Sequence, residues 1–158
     1  MLQIALLLAL VIPAILFILT QQKTLRLISP ENREMSPGSV WLQLIPLFGM
    51  VWQFMVVTKI AHSVSKEIAS KIGESILDSP QAQIKETNVS PTYTLGIAYC
   101  ALTTFGIIIN YIALRSSSYP ASFGSYFTLA GIVCWIIYWV RLVNTKKTIA
   151  GLSIAIAT

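Results

Sequence analysis

The stretch TYTLGIAYCALTTFGIIINYIAL, residues 92–114, contains no charged side chain and is bracketed by Ser90-Pro91 before it and Arg115 after it. A serine that can cap free N–H groups, followed by proline at the first helical position, is a helix start. The uncharged run is long enough at about 1.5 Å per residue to cross a hydrocarbon core of about 30 Å. Within it, Thr94, Ala98 and Ala101 form one face of small side chains suited to close helix packing, and Tyr99, Thr103, Gly106 and Asn110 form a second, more polar face.

The same pattern recurs along the chain. Residues 2–20 are apolar up to the polar QQK that begins at Gln21, with Pro13 in the middle. This run has no basic segment ahead of it and no small-x-small cleavage signal, so it is expected to be a retained span with a modest kink. Residues 40–61 form another apolar run, expected to be one continuous helix opened by Ser36-Pro37. Its faces differ: Trp41, Ile45, Phe48, Trp52, Met55 and Lys59 lie on one, and Pro46, Gly49, Met50, Gln53, Val57 and Ile60 on another. Gly49 and Gln53 make the second face the one expected to meet other helices. A fourth span is expected over residues 125–143, where Gly131 offers close packing and Trp135 and Trp139 stand beside Arg141. With Trp41 and Lys59, these residues resemble the aromatic and basic anchors found at membrane surfaces. The expected fold is an all-α membrane protein, a four-transmembrane-helix bundle forming a single integral membrane domain over residues 1–158.

Composition agrees with that expectation. Charged residues make up 11% of the 158 residues and hydrophobic ones 55%; a soluble domain carries about 25% charged residues. The charges concentrate in the polar connectors, expected at residues 21–39, 62–91 and 115–124, as the cost of ionised groups in hydrocarbon requires. The net charge of +5 has no basic stripe interleaved with stacking aromatics, which excludes nucleic acid as the expected partner. For four spans, seven basic residues share the side of the second connector and the C-terminal tail, against four on the other. This places both termini in the cytoplasm, although the first helix, whose basic residues follow it, argues the opposite way.

Beyond residue 61 the second helix is expected to continue as an amphipathic extension. Val64, Ile68, Ile72 and Ile76 recur every four residues, and Glu67 and Lys71 form a favourable i, i+4 pair. Its apolar stripe needs a partner or lipid. Asp78-Ser79-Pro80 stops the run, and residues 81–89 read as exposed loop. The apolar tail, residues 149–158, is too short to cross.

Chemistry is scarce. Cys100 and Cys134 lie in apolar spans with no CxxC and no histidine partner, so they read as small buried side chains. One histidine, His62, supplies neither a metal site nor a haem pair, and no nucleophile triad, phosphate loop or paired carboxylates occur. Asn88-Val89-Ser90 matches a glycosylation pattern, weakened by Pro91. No catalytic residue, cofactor or metal is therefore expected. Gln43, Gln53, Asn110 and Tyr111 are the polar groups at membrane depth; they either tie helices together, the commoner outcome, or line a solute path. Glu31, Asn32, Arg33 and Glu34 form a charged turn that either pairs with itself or docks on a partner.

The run NREMSPGSVWLQLIPLFGMVWQFMVVTKIAHSVSKE, residues 32–67, resembles a segment of small uncharacterised bacterial multi-pass membrane proteins, in which an Asn-Arg-x-Met-x-Pro-Gly turn precedes a helix bearing Trp and Pro. The resemblance rests on Asn32, Arg33, Met35, Pro37, Gly38, Trp41, Pro46, Trp52 and Phe54. It implies a bacterial inner membrane and transfers no functional residue. The expected role is non-enzymatic: an accessory subunit or homo-oligomer acting through helix contacts, with membrane lipids and a second copy or another membrane protein as partners. The alternative is a small-solute or ion channel formed by oligomerisation. An enzyme would have to use interfacial groups such as His62 and Glu67.

Overall fold

The computed structural model describes the backbone of residues 2–78, 90–115 and 123–157, and the side chains of 11–71, 73, 92–115 and 123–151. The described chain is helical, with α1 at Leu2–Leu27, a 3-10 turn at Ser39–Leu44, α2 at Phe48–Asp78, α3 at Ser90–Arg115 and α4 at Phe123–Ala157. The reading of residues 81–89 as a loop, and the glycosylation pattern with it, falls outside the described residues.

The second apolar run is not one helix from residue 40 to 61. It is interrupted by its own proline. Pro46 disfavours helical backbone in the residue before it, and Ile45 is extended (φ −74°, ψ 118°). Leu47 then takes a left-handed conformation at φ 63°, and α2 starts at Phe48. Backbone bonds from Phe48 N–H to the Pro46 carbonyl and from Gly49 N–H to the Ile45 carbonyl, both 2.7 Å, close this tight corner. Pro37 likewise opens a turn and the 3-10 segment rather than a long helix. The tail from residue 149 is not a separate piece: α4 runs through it to Ala157, and Ile149 is buried.

The direction of each helix follows from what it touches. α3 and α4 are antiparallel along their length: Gly96 lies against Tyr138, Gly131 against Thr103, Gly106 against Thr128, and Gly124 against Asn110. A Cβ on any of these glycines would overlap its neighbour, so the absence of a side chain is what lets these backbones approach. α2 is antiparallel to α3, since Gly96 also meets Val57 while Gln53 bonds Thr104. One aromatic layer ties all of these to α1. Phe17 packs edge-on against Tyr99, Trp135, Tyr138 and Trp139 at centroid separations of 5.4–6.2 Å.

From that layer, Ser29 lies 12 residues further along the chain from Phe17 and Glu67 lies 10 residues beyond Val57, rises of about 18 and 15 Å along helical geometry. Ser29 and Glu67 nevertheless meet through hydrogen bonds of 3.1 Å. Only a parallel arrangement of α1 and α2 allows this. Helices that crossed a layer one after another would alternate in direction, and α1 and α2 do not. The connector at residues 28–47 runs back alongside α2: Ser29 at Glu67, Glu34 at Ser63, Ser39 at Trp52, and Gln43 at Gly49.

The stripe on the α2 extension is not uncovered either. Val64 and Ile68 are buried in one apolar cluster with Leu25 and Ile28 at the end of α1. Burial of such side chains is worth about 1.5–3 kcal/mol each. Ile72 and Ile76 lie outside the described side chains.

Candidate functional site

The most organised polar chemistry lies where the 28–34 turn docks on α2. Glu67 projects from α2 and is 1% exposed. Its Oε2 accepts the backbone N–H of Ser29 at 3.1 Å and the Asn32 amide at 2.8 Å. Its Oε1 accepts the Ser29 hydroxyl at 3.1 Å, and the Lys71 ammonium stands 3.5 Å away. Burial pushes the Glu67 carboxyl up, but the bonds from Asn32 and Ser29 and the charge of Lys71 together outweigh it and hold the group below its ordinary range.

The local sequence explains the geometry. Ser29-Pro30 ends α1 and starts a turn, closed by Asn32 N–H to the Ser29 carbonyl at 3.0 Å, and this turn brings the Asn32 amide and the Ser29 N–H to one side. Arg33 folds back and donates from Nη2 to the Ile28 carbonyl at 2.8 Å, which satisfies a carbonyl at the C-terminal end of α1. The Glu34 N–H donates to the Ser63 hydroxyl at 2.9 Å, and that hydroxyl donates to the Lys59 carbonyl at 2.7 Å. The Glu34 carboxylate takes Lys66 at 2.6 Å and lies 3.6 Å from His62. The Lys66 bond is the main cause that lowers the Glu34 carboxyl. Within this chain the charged turn is latched to α2 through Ser29, Asn32 and Glu34, while Glu31 stands exposed. A carboxylate with its lone pairs so filled is an anchor, and His62 sits at the exposed edge with a side-chain exposure of 59%.

A second polar layer lies beside the aromatic one. Gln43 donates to the Gln21 side-chain oxygen at 2.7 Å and to the Val40 carbonyl at 2.9 Å. The Trp41 indole reaches Gln22 at 3.4 Å, Trp52 donates to the Ser39 carbonyl at 2.8 Å, and Trp139 donates to the Thr20 hydroxyl at 3.1 Å. Gln21 is fully buried.

The residues singled out by sequence fall as follows. Gly49 is buried against the Gln43 backbone, so its close neighbour is the chain's own turn. Gln53 donates to the Met50 carbonyl at 3.2 Å and to Thr104 at 3.3 Å. Gly131 lies against Thr103, and Asn110 against Gly124. Gln53 therefore bonds across the α2–α3 contact, while Asn110 packs across the α3–α4 contact. Ala98 is half-buried, and Ala101 and Tyr111 are exposed. Trp41, Lys59, Trp135 and Trp139 are half-buried, with Arg141 exposed. Sequence reasoning gave Ser63 and Gln21 no role, took Ser29-Pro30 only for a helix-start signal, and read Glu67 as a partner of Lys71 or an interfacial group beside His62. The available signal was a carboxylate inside the apolar period of an amphipathic helix, one position before Ile68.

Among the described residues, no group of three or more His, Cys, Asp or Glu is placed to hold a metal ion. Comparison with family models, with curated proteins and with solved structures finds no match to this chain.

Proposed function

We propose that this chain is a non-enzymatic integral membrane protein that works through helix contacts, as an accessory subunit or a homo-oligomer, in a bacterial inner membrane. The observation that carries the reading is apolar surface left uncovered. Within α3, Thr92–Arg115 is 24 residues long, and within α4, Phe123–Gly151 is 29, with mean hydropathies of 1.8 and 1.7; only 17% of the most apolar window of each is buried. A core helix of a soluble domain reaches such hydropathy only when it is covered. Ile107, Ile108, Ile112, Ile132, Val133 and Ile136 all stand exposed, a surface that lipid or another apolar protein has to cover.

The polar groups support contact rather than reaction or transport. Gln53 bonds the neighbouring helix, Asn110 packs against Gly124, and Glu67 and Glu34 anchor a turn. The channel alternative needs polar residues converging on one path, and the two best placed for it have different partners. The small face through Ala98 and Ala101 remains available to a second chain, because Ala101 is exposed.

Native mass spectrometry of the protein extracted in mild detergent tests this reading. A stoichiometric second protein, or a defined homo-oligomer that Ala101→Leu dissociates, supports it. A monomer indifferent to Ala101→Leu, in vesicles that pass a small solute until Gln53 is replaced by Leu, overturns it.

A further inference from the structure

We propose that the chain crosses the membrane three times, through α1, α3 and α4, and that residues 36–58 form a re-entrant hairpin whose Pro46-Leu47 tip sits within the bilayer. This rests on the membrane reading above and goes beyond it. The partner of the hairpin's outer surface is then lipid acyl chain, and the two ends of the protein face opposite sides.

The first support is direction. α1 and α2 are parallel, so a chain that leaves the membrane at the end of α1 must return before α2 begins. The connector does this, running back along α2 from Ser29 at Glu67 to Gln43 at Gly49. The hairpin is also short. Phe48 lies nine residues before Val57, whereas Arg115 lies nineteen residues beyond Gly96, the residue Val57 touches. These are about 14 Å against about 28 Å of helix rise, so beyond the aromatic layer the tip reaches about half as far as α3 does.

The second support is chemical. Residues 35–58 contain no charged side chain, and the exposed residues around the tip include Leu44, Ile45, Leu47, Phe48 and Val51, with Leu47 at 82%. Irregular backbone survives at membrane depth only when its polar groups are satisfied within the protein. Here Trp52 N–H serves the Ser39 carbonyl, the Gln43 amide serves Val40, and backbone N–H groups serve Gly38, Leu42, Ile45 and Pro46. Indole and amide side chains spent on backbone carbonyls are what an anhydrous setting requires.

The third support is the distribution of basic groups. Lys23 and Arg26 of α1, Arg33 of the turn, Lys59, Lys66 and Lys71 of α2, and Arg141, Lys146 and Lys147 of α4 all lie from the aromatic layer toward the latch end. Arg115 is the one basic residue at the other end among the described residues. Nine against one is a strong cytoplasmic bias for the latch end. It removes the conflict that four serial crossings left in the sequence, where the first helix disagreed with the rest. The C-terminal end of α4 is then cytoplasmic, and the N-terminal end of α1 is on the opposite side, not beside it.

Single cysteines placed in a Cys100→Ala, Cys134→Ala background and probed with a membrane-impermeant maleimide in right-side-out and inverted vesicles decide the matter. Glu31→Cys and Ser70→Cys are expected to react only in inverted vesicles, Arg115→Cys only in right-side-out ones, and Leu47→Cys in neither. Glu31→Cys reacting with Arg115→Cys, opposite Ser70→Cys, restores four crossings and overturns the hairpin. So does reaction of Leu47→Cys from the Arg115 side. If the cysteine-free background misfolds, protease shaving of tags on the two ends of the wild-type chain answers equally: opposite sides are expected, and the same side overturns the proposal. Release of the protein by alkaline carbonate, with every cysteine reactive in both vesicle types, defeats the membrane reading itself and is distinguishable from either result.

Discussion

Ser29 holds Glu67 by two atoms at once, its backbone N–H on Oε2 and its hydroxyl on Oε1, each at 3.1 Å across 38 residues of chain. The first residues after α1 are thereby clamped to the middle of α2, and the direction of α2 relative to α1 is set at that point. Asn32 on the same carboxylate and Lys66 on Glu34 extend the clamp along one helix face.

Removing the anchor leaves donors without acceptors. Glu67→Ala strands the Ser29 N–H and hydroxyl and the Asn32 amide in a buried site, which is expected to cost about 2–4 kcal/mol. Lys71→Met, which removes a 3.5 Å partner, is expected to cost less than Glu67→Ala, because the Ser29 and Asn32 donors still satisfy the carboxylate. Thermal unfolding of the detergent-solubilised protein separates the two; equal effects would show that the ion pair, not the hydrogen-bonded clamp, is the anchor.

Acid is expected to loosen the same clamp. The Glu67 carboxyl is held below its ordinary value of 4.5 in the folded protein, so the unfolded chain takes up the proton first as pH falls. The contribution to stability is fully present above that value and is lost as pH drops through the folded one. The melting temperature should change little through this group from neutral pH down to about 5 and fall below that. Glu67→Gln should flatten the acid limb; an unchanged limb would place the sensitivity elsewhere.

Glycine substitutions should divide by what they meet. A Cβ at Gly49 runs into the Gln43 carbonyl group, which is backbone and cannot swing aside, whereas nothing stands within 4 Å of one at Gly73. Gly49→Ala is expected to lose about 2 kcal/mol or more through overpacking, and Gly73→Ala to gain up to about 1 kcal/mol through helix propensity. Limited proteolysis of both variants in detergent reads the difference.

Leu47 offers a test of the corner. Its φ of 63° is a conformation that costs a side-chain-bearing residue about 1–2 kcal/mol and glycine almost nothing. Leu47→Gly should be neutral or mildly stabilising, while Leu47→Val should be destabilising, because a branched Cβ tolerates this backbone worst. If Val and Gly behave alike in thermal unfolding, the corner does not hold this backbone.

Much of the protein was legible from local pattern. Residues 92–114 announced a helix because uncharged length and a Ser-Pro start are properties of neighbouring residues, and α3 is there. Gly131 and Asn110 were recognisable as polar or small positions on apolar helices, and both contact the facing helix. The break at Ile45-Pro46 was present in the sequence as well, since proline constrains the residue before it, but the continuous hydropathy around it outweighed one residue. Ala101 shows the limit of such reasoning: its small-residue spacing equals that of a packed face, yet it is exposed within this chain.

Local pattern alone shows that the chain is helical, where its long apolar segments lie, and that its charges cluster outside the most apolar stretches, because these depend on side chains close together in the chain. That α1 and α2 run in the same direction, that Glu67 is buried beneath Ser29 and Asn32, and that the connector returns along α2 emerges from long-range packing alone. Those outcomes depend on which distant groups satisfy one another. A buried carboxylate selects its donors by geometry across 35 and 38 residues, and no local periodicity records that choice.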